Sequence, residues 1–451
     1  MVLVAVAMVA IIAMAAMSID LVTLYLAREE AQRAADSAAL AAARVISITG
    51  ITGTADTTTD PADWRAICGA AGGWATQAAQ AVAAQNTVGG QEVTVGVTYS
   101  DGSTTGANDC STLSAAFAVN PMVTVQIVPA NIPSFFSRIW GSRGNNISAS
   151  ATAEAFNPSA SDNNGVVPGS VTPVQPRCVK PWIVPNLDPG NCLIGNPRNC
   201  NRFVVLGDGQ IQHPGIAPGG GLRSPAVIGE HFTLLADCTS TAAPCILAAN
   251  PPSANFSNAP SLQYLPGAIS GPSQAVPGCA ATGSTYEMAV AGCDQTTVYQ
   301  CGQQVPPSGN PNLVDLSENP SGAAGDTAMG LACSLTNGNT IPLTGNDTLR
   351  ITSYPFVAIA GDANPLGISG TPVTTSNSIV SLPIYDQTSV TITPTTTPVT
   401  IVGFLQVFVN QVNANGSVDV TVMNVAGCGN AAANPPVFGS SPVPIRLITP
   451  H

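Results

Sequence analysis

Three histidines, His213, His231 and His451, are all the imidazole this chain has for moving protons or holding a metal, and none lies in an H-E-x-x-H pattern. No G-x-S-x-G elbow lifts a serine into a nucleophile's position, and no P-loop offers backbone amides to a phosphate. The glycines of GDGQIQHPGIAPGGG, residues 207–221, read as turns. Thiol chemistry is the one kind that the residue types support in quantity. Twelve cysteines are present: Cys68, Cys110, Cys178, Cys192, Cys200, Cys238, Cys245, Cys279, Cys293, Cys301, Cys333 and Cys428. Their number is even, and no two have the C-x-x-C spacing that zinc ribbons and thioredoxin-like sites require. Scattered through a charge-poor chain, they predict disulfides made in an oxidising compartment. Cys68 and Cys110 are the only two before residue 157, so pairing within one domain joins them to each other. The residues thus predict no enzyme, no catalytic group, no cofactor and no metal.

The elements that carry these residues follow from composition. A chain of 451 residues has room for two or three domains. Hydrophobic residues make up 45%, enough for cores, but only 8% are charged, against about a quarter in ordinary domains. Lys180 is the single lysine and the net charge is -12, which excludes the basic footprint that a nucleic-acid partner needs. Disorder calls for low hydrophobicity and high net charge. A β-rich, loop-heavy extracytoplasmic protein fits these numbers better.

From Met1 to Ile19 no side chain is charged, and at 1.5 Å per residue this run is about 28 Å long, close to one bilayer core. The small residues of AMAAMS would suit a cleaved signal peptide. That reading lacks a charged leading segment, and the helical pattern runs through any cut site, so a retained anchor is expected. Asp20 stands near the outer boundary of the run. A carboxylate there is either solvated or in contact with a partner. Past Tyr25 the composition turns to Arg28, Glu29, Glu30, Arg33 and Asp36, and Gln32 can reach Asp36 one turn on. Ala31, Ala35, Ala39 and Ala43 form a stripe, with Ala34, Ala38 and Ala42 beside it, and no Gly or Pro interrupts before Gly50. Alanine favours the helix, and its small side chain lets another backbone approach closely.

The stretch SIDLVTLYLAREEAQRAADSAALAAAR, residues 18–44, resembles the N-terminal signature of the TadG-like proteins of the tight-adherence (Flp) pilus assembly system. Asp20, Tyr25, Leu26, Gln32, Ala34, Ala35, Asp36 and Leu40 occupy the places of that pattern. Weaker similarity runs through residues 123–155 and RCVKPWIVPN, and family members usually carry a basic stretch and a Gly before the apolar run. The resemblance implies a bacterial cytoplasmic-membrane protein, crossing once, with its C-terminal domains outside and with cell surface or pilus as the destination. It implies other pilus or secretion-system proteins as partners, self-association through the N-terminal helix, and packing through Asp20, Tyr25, Leu26, Gln32, Ala35, Asp36 and Ala39.

Residues 61–86 read as a second helix, weakened between Gly69 and Gly73. EVTVGVTY (92–99) and MVTVQIV (122–128) alternate as strands, PSFFSRIWG (133–141) is a short helix, and NISASATAEAF (146–156) is another strand. Residues 157–176 are a linker by composition. Beyond them, short apolar runs between turns predict a β-rich fold, with NANG at 413–416 turning a hairpin. DLSEN at 315–319 departs from the D-x-S-x-S metal pattern of von Willebrand A domains at Asn319 and is rejected.

The predicted fold is α+β. It comprises a transmembrane anchor over 1–27, a pilin-like helix-on-sheet domain over 28–156, the linker over 157–176 and a β-rich disulfide-containing domain over 177–451. Two functions suit it: a non-catalytic pilin-like component of a pilus or secretion machine acting through protein contacts, or an independently anchored adhesin. The resemblance favours the first.

Overall fold

The computed structural model describes residues 2–50, 66–69, 72–101, 106–118, 121–129, 132, 136, 147–157, 174–190, 203–216, 226–236, 260–269, 284–292, 299–301, 312–316, 320–336, 343–344, 347–350, 356–362, 364, 366–388, 390–393, 396–428, 437–439 and 441–448. The helix expected at 133–141 and most of the linker expected at 157–176 lie outside them. The chain divides into two compact units. One comprises Met1–Ile46, Asp60–Ala155 and Ile445–His451, the other Ser47–Thr59 and Phe156–Pro444.

The first unit begins with helix α1, Val2–Ile48, a single element of 47 residues. Helix α2, Trp74–Ala84, follows the glycine-rich break expected between 69 and 73, and its N-cap is Gly73. Strands β1 (Val93–Ser100), β2 (Met122–Pro129) and β3 (Ala149–Ala155) pair antiparallel. Period-two alternation sorts their side chains. Tyr99, Val123 and Ala153 fall in one cross-strand row, Val97, Val125 and Ala151 in the next, and all six are buried. The opposite face carries Thr98, Thr124 and Thr152, where the last two hydroxyls share a 2.8 Å hydrogen bond. A fourth strand, Ile445–Ile448, completes the sheet by pairing with β3 from Thr152 to Ala155. Directly opposite one another there, Arg446 and the buried Glu154 form an ion pair.

The second unit is β-rich. Strands β4 (Trp182–Pro185), β5 (His231–Ala236), β6 (Ser261–Pro266), β7 (Leu343–Thr344), β8 (Ile379–Tyr385), β9 (Ile401–Val412) and β10 (Val418–Gly427) form one mixed sheet; the C-terminal strand of the first unit is thus β11. Their order is β8-β4-β6-β5-β10-β9-β7, and β8 also pairs with β9, so six of the strands close into a ring. Closure removes most exposed sheet edge, where unwanted pairing would start. The longest pair, β9 and β10, is the hairpin read from NANG. Gly416 holds its turn at φ +77°, with its N–H donating to Asn413 O at 2.9 Å. Ile183, Leu265, Tyr385, Ile401 and Phe404 belong to one buried core cluster. Helices α3 (Thr285–Ala291) and α4 (Pro320–Thr336) pack together at Gly330, where an added Cβ would lie 2.7 Å from Glu287 O. A disulfide joins Cys301 to Cys428, and Cys178 and Cys333 are also disulfide-bonded.

Candidate anchor and helix-packing site

Along its first half α1 exposes apolar side chains: Leu3 is 84% exposed, Met17 70% and Leu21 68%. By length and composition this half can cross a membrane. Its hydroxyls are satisfied within the helix, which an apolar surround demands. Ser18 Oγ–H donates to Ala15 O at 2.7 Å and Thr23 Oγ1–H to Asp20 O at 2.8 Å.

Asp20, in contrast, is buried in this largely exposed stretch, at 5% exposure. The backbone N–H of Phe136 donates to its Oδ2 at 3.0 Å and to its Oδ1 at 3.2 Å. Solvent and a foreign partner were the two candidates from sequence, and the chain itself supplies a donor instead. No sequence pattern could reveal it, because every residue except proline carries that N–H. Tyr25 and Leu26 point outward, 65% and 54% exposed.

After Ala27 the helix turns into the folded unit. Gln32 donates through Nε2 to Asp36 Oδ1 at 2.8 Å and to Ser150 O at 3.2 Å. Ser150 lies past the last described pair of β3 and β11, Thr152 with Ile448. Glu30 Oε2 accepts the N–H of Gly89 at 2.7 Å. Ala31, Ala35, Ala38, Ala39, Ala42 and Ala43 are all fully buried. The close packing that the alanine stripe permits is therefore used inside the chain. Burial lowers the pKa of Arg44 on the same stretch.

Cys68 and Cys110 are joined by a disulfide, with Cα atoms 5.5 Å apart. Beside α2, Thr76 Oγ1–H donates to Gly69 O at 3.1 Å, leaving its oxygen to accept from the Tyr99 hydroxyl at 2.7 Å. Burial raises the Tyr99 pKa, opposed by that hydrogen bond. A groove of about 530 Å³ runs over Thr98, Thr124, Gln126 and Ser150 and is edged by Thr76 and Gln80. Among the described residues its lining offers hydroxyls and amides but no ionisable side chain.

The second unit holds buried charge that sequence reading did not single out as a site. His213 Nδ1 lies 3.0 Å from Asp188 Oδ2, and Glu230 is buried beside them. Burial, then the neighbouring charge of Asp188, pushes the Glu230 pKa well up. Lys180 is buried too. It donates to the carbonyls of Val290 and Gly292 (the latter at 3.0 Å), capping the C-terminal end of α3, and burial lowers its pKa to about 8. Among the described residues no group of three His, Cys, Asp or Glu side chains is arranged to hold a metal.

The structure thus gathers Asp20, Gln32, Ala35, Asp36 and Ala39 on contacts within the chain and leaves Tyr25 and Leu26 outward. Residues 1–45, of 451, match the family model described as Tad, "Putative Flp pilus-assembly TadE/G-like". No curated protein and no solved structure matches the chain. Through its N-terminal helix, the chain is similar to the TadE/G-like proteins of Flp pilus assembly.

Proposed function

We propose that this chain is a non-catalytic, membrane-anchored, pilin-like component of an Flp pilus-assembly system. The first half of α1 lies in the bacterial cytoplasmic membrane, both folded units stand outside it, and the chain acts by contacts with other pilus proteins. One observation carries the reading: α1 has an exposed apolar half and an alanine half buried in a folded unit, within the residues that match the family. Exposed aliphatic surface of that length needs lipid or other apolar helices around it. The disulfides support an extracytoplasmic location, because cytosolic thiols are kept reduced. The buried carboxyl groups of the second unit sit within a core and belong to folding rather than to catalysis.

A protease-resistant tag after residue 451, fractionation and pilus counts test the proposal. Full-length protein is expected in alkali-resistant membranes. A membrane-impermeant thiol probe, added after reduction, is expected to label the C-terminal part in unlysed spheroplasts, and deletion is expected to abolish pili while pilin is still made. Protection until lysis would overturn the topology, and a soluble shortened form would replace the anchor by a signal peptide. Normal pili with lost surface attachment would favour an independent adhesin.

A further inference from the structure

The sheet of the first unit ends in β1 on one side and β11 on the other. The N–H of Tyr99 donates to Ala107 O at 2.7 Å, and Tyr99 O accepts the N–H of Ala107 at 2.8 Å, so both groups point away from β2. The β1–β2 ladder has no register break. Every second residue back along β1, Val97, Val95 and Val93, therefore turns the same groups outward. At the far edge the N–H of Phe156 donates to Pro444 O at 2.9 Å, which sets residues 444, 446 and 448 in hydrogen-bonded pairs with β3. Ile445 and Leu447 then turn their groups outward. Among the described residues, none bonds these groups at Val93, Val95, Ile445 or Leu447. Proteins blunt such edges with lysine, proline, a charge or a bulge, and β1 has none of these over its 8 residues.

The two edges also match in side chains and direction. Val93 and Val95 share the buried face of the sheet with Tyr99, and Leu447 and Ile445, opposite Ala153 and Ala155, lie on that face too. Val93, Val95 and Ile445 are half-buried and Leu447 is 42% exposed, so each edge leaves apolar surface uncovered. Glu92, just before β1, is exposed, and the Arg446 side chain is 50% exposed. A Cβ on Gly89 would lie 3.8 Å from Ala27 Cβ, whereas Ser150, level with Gly96 across the sheet, is held by Gln32 further along α1. From Gly89 to Gly96 the chain thus advances along α1 away from the apolar half, and β11, antiparallel to β1, returns toward it.

We infer that copies of this chain join edge to edge, β1 of one copy pairing antiparallel with β11 of the next. Val93 stands opposite Leu447 of the next copy and Val95 opposite Ile445, each pair exchanging both of its backbone hydrogen bonds. Thr94 faces Arg446 of the next copy, and Glu92 lies diagonally from that arginine. This rests on reading α1 as a membrane anchor. Joining unlike edges keeps every apolar half on one side, as a single bilayer requires, whereas β1 antiparallel to β1 would point the two anchors in opposite directions. A joint of unlike edges leaves a β1 at one end and a β11 at the other, so the assembly is open-ended.

The test uses the full chain, carrying Thr94→Cys and Arg446→Cys together, in the membranes of expressing cells. Residues 94 and 446 are a non-hydrogen-bonded pair in the joint, with Cα atoms about 4.5 Å apart, within reach of a disulfide. Oxidation is expected to give a ladder of multimers from this chain, dimers from a mixture of the two single variants, and no more than the natural chain's background from either single variant alone. Glu92→Cys with Ile448→Cys, the neighbouring pair in the same register, keeps Arg446 and is expected to give the same ladder. Val95→Pro removes an outward N–H without touching a bond to β2, and is expected to abolish both ladders. If neither pair cross-links in protein that stays in the membrane, the joint is overturned and the anchor stands. Dimers from Thr94→Cys alone would show like edges meeting and overturn it too. Protein lost from the membrane fraction overturns the anchor and the ordering of copies built on it.

Discussion

Glu230 and Lys180 show what burial does to a charge in this chain, in opposite senses. Lys180 finds two helix-end carbonyls, so its cation has partners. Glu230 is buried beside Asp188, whose carboxylate lies 3.0 Å from His213 Nδ1, and burial and then that neighbouring charge raise the Glu230 pKa. The sign of the consequence can be worked out. A carboxyl whose folded pKa is raised binds a proton in the folded state at a pH where the unfolded chain has released it. Its contribution to stability is full below about 4.5, the unfolded value, and is lost as pH rises toward the folded pKa. Glu230→Gln, which copies the shape of the neutral acid, is expected to flatten this dependence. The urea midpoint of the variant should exceed that of the natural chain at pH 8, and the gap should close by pH 5. Equal pH slopes for the two proteins would show that Glu230 is not the titrating group.

At the scale of elements, α1 is the part whose sequence was most legible. Its length, its apolar start and its alanine rod follow from period and composition alone. What covers the rod did not, because alanine suits contact with a second chain and contact with one's own sheet equally well. Ala35 is fully buried within the chain, so enlarging it should act on folding. Ala35→Leu is expected to cost about 1–3 kcal/mol of stability through overpacking, although leucine is nearly as good a helix former. Ala10→Leu, on the exposed apolar half, is the control and should leave stability unchanged. Chemical denaturation of the two variants in the same detergent checks both. The β9–β10 hairpin was legible for a local reason: its turn residues specify it and a glycine must occupy the φ +77° position. Ring closure was hidden, since pairings such as β4 with β8 join residues about two hundred positions apart and leave no local mark.

At the scale of the molecule, the last described strand belongs to the first unit. Strand β11 pairs with β3 from Ile445 opposite Ala155 to Ile448 opposite Thr152, so the first sheet is completed by the end of the sequence given. Nothing in IRLI announces this; its alternation would suit any sheet edge. The consequence is that the first unit cannot finish folding until the residues of the second unit have been made. Removing residues 445–451 should therefore damage a unit whose other parts lie nearly three hundred residues earlier. The deletion exposes the edge of β3 and strips the buried Glu154 of Arg446, its ion-pair partner. Losing that partner alone is expected to cost roughly 1–3 kcal/mol, because a buried acceptor is left without its donor. Arg446→Met, which keeps the strand, should show this smaller loss, and the deletion a larger one. Limited proteolysis with mapped cleavage sites reads both units, sites between 60 and 155 for the first and between 156 and 444 for the second. The first unit is expected to become sensitive in the deletion while the second keeps its resistance. Unchanged resistance at the first set of sites would mean that three strands suffice and that β11 only rests on the sheet.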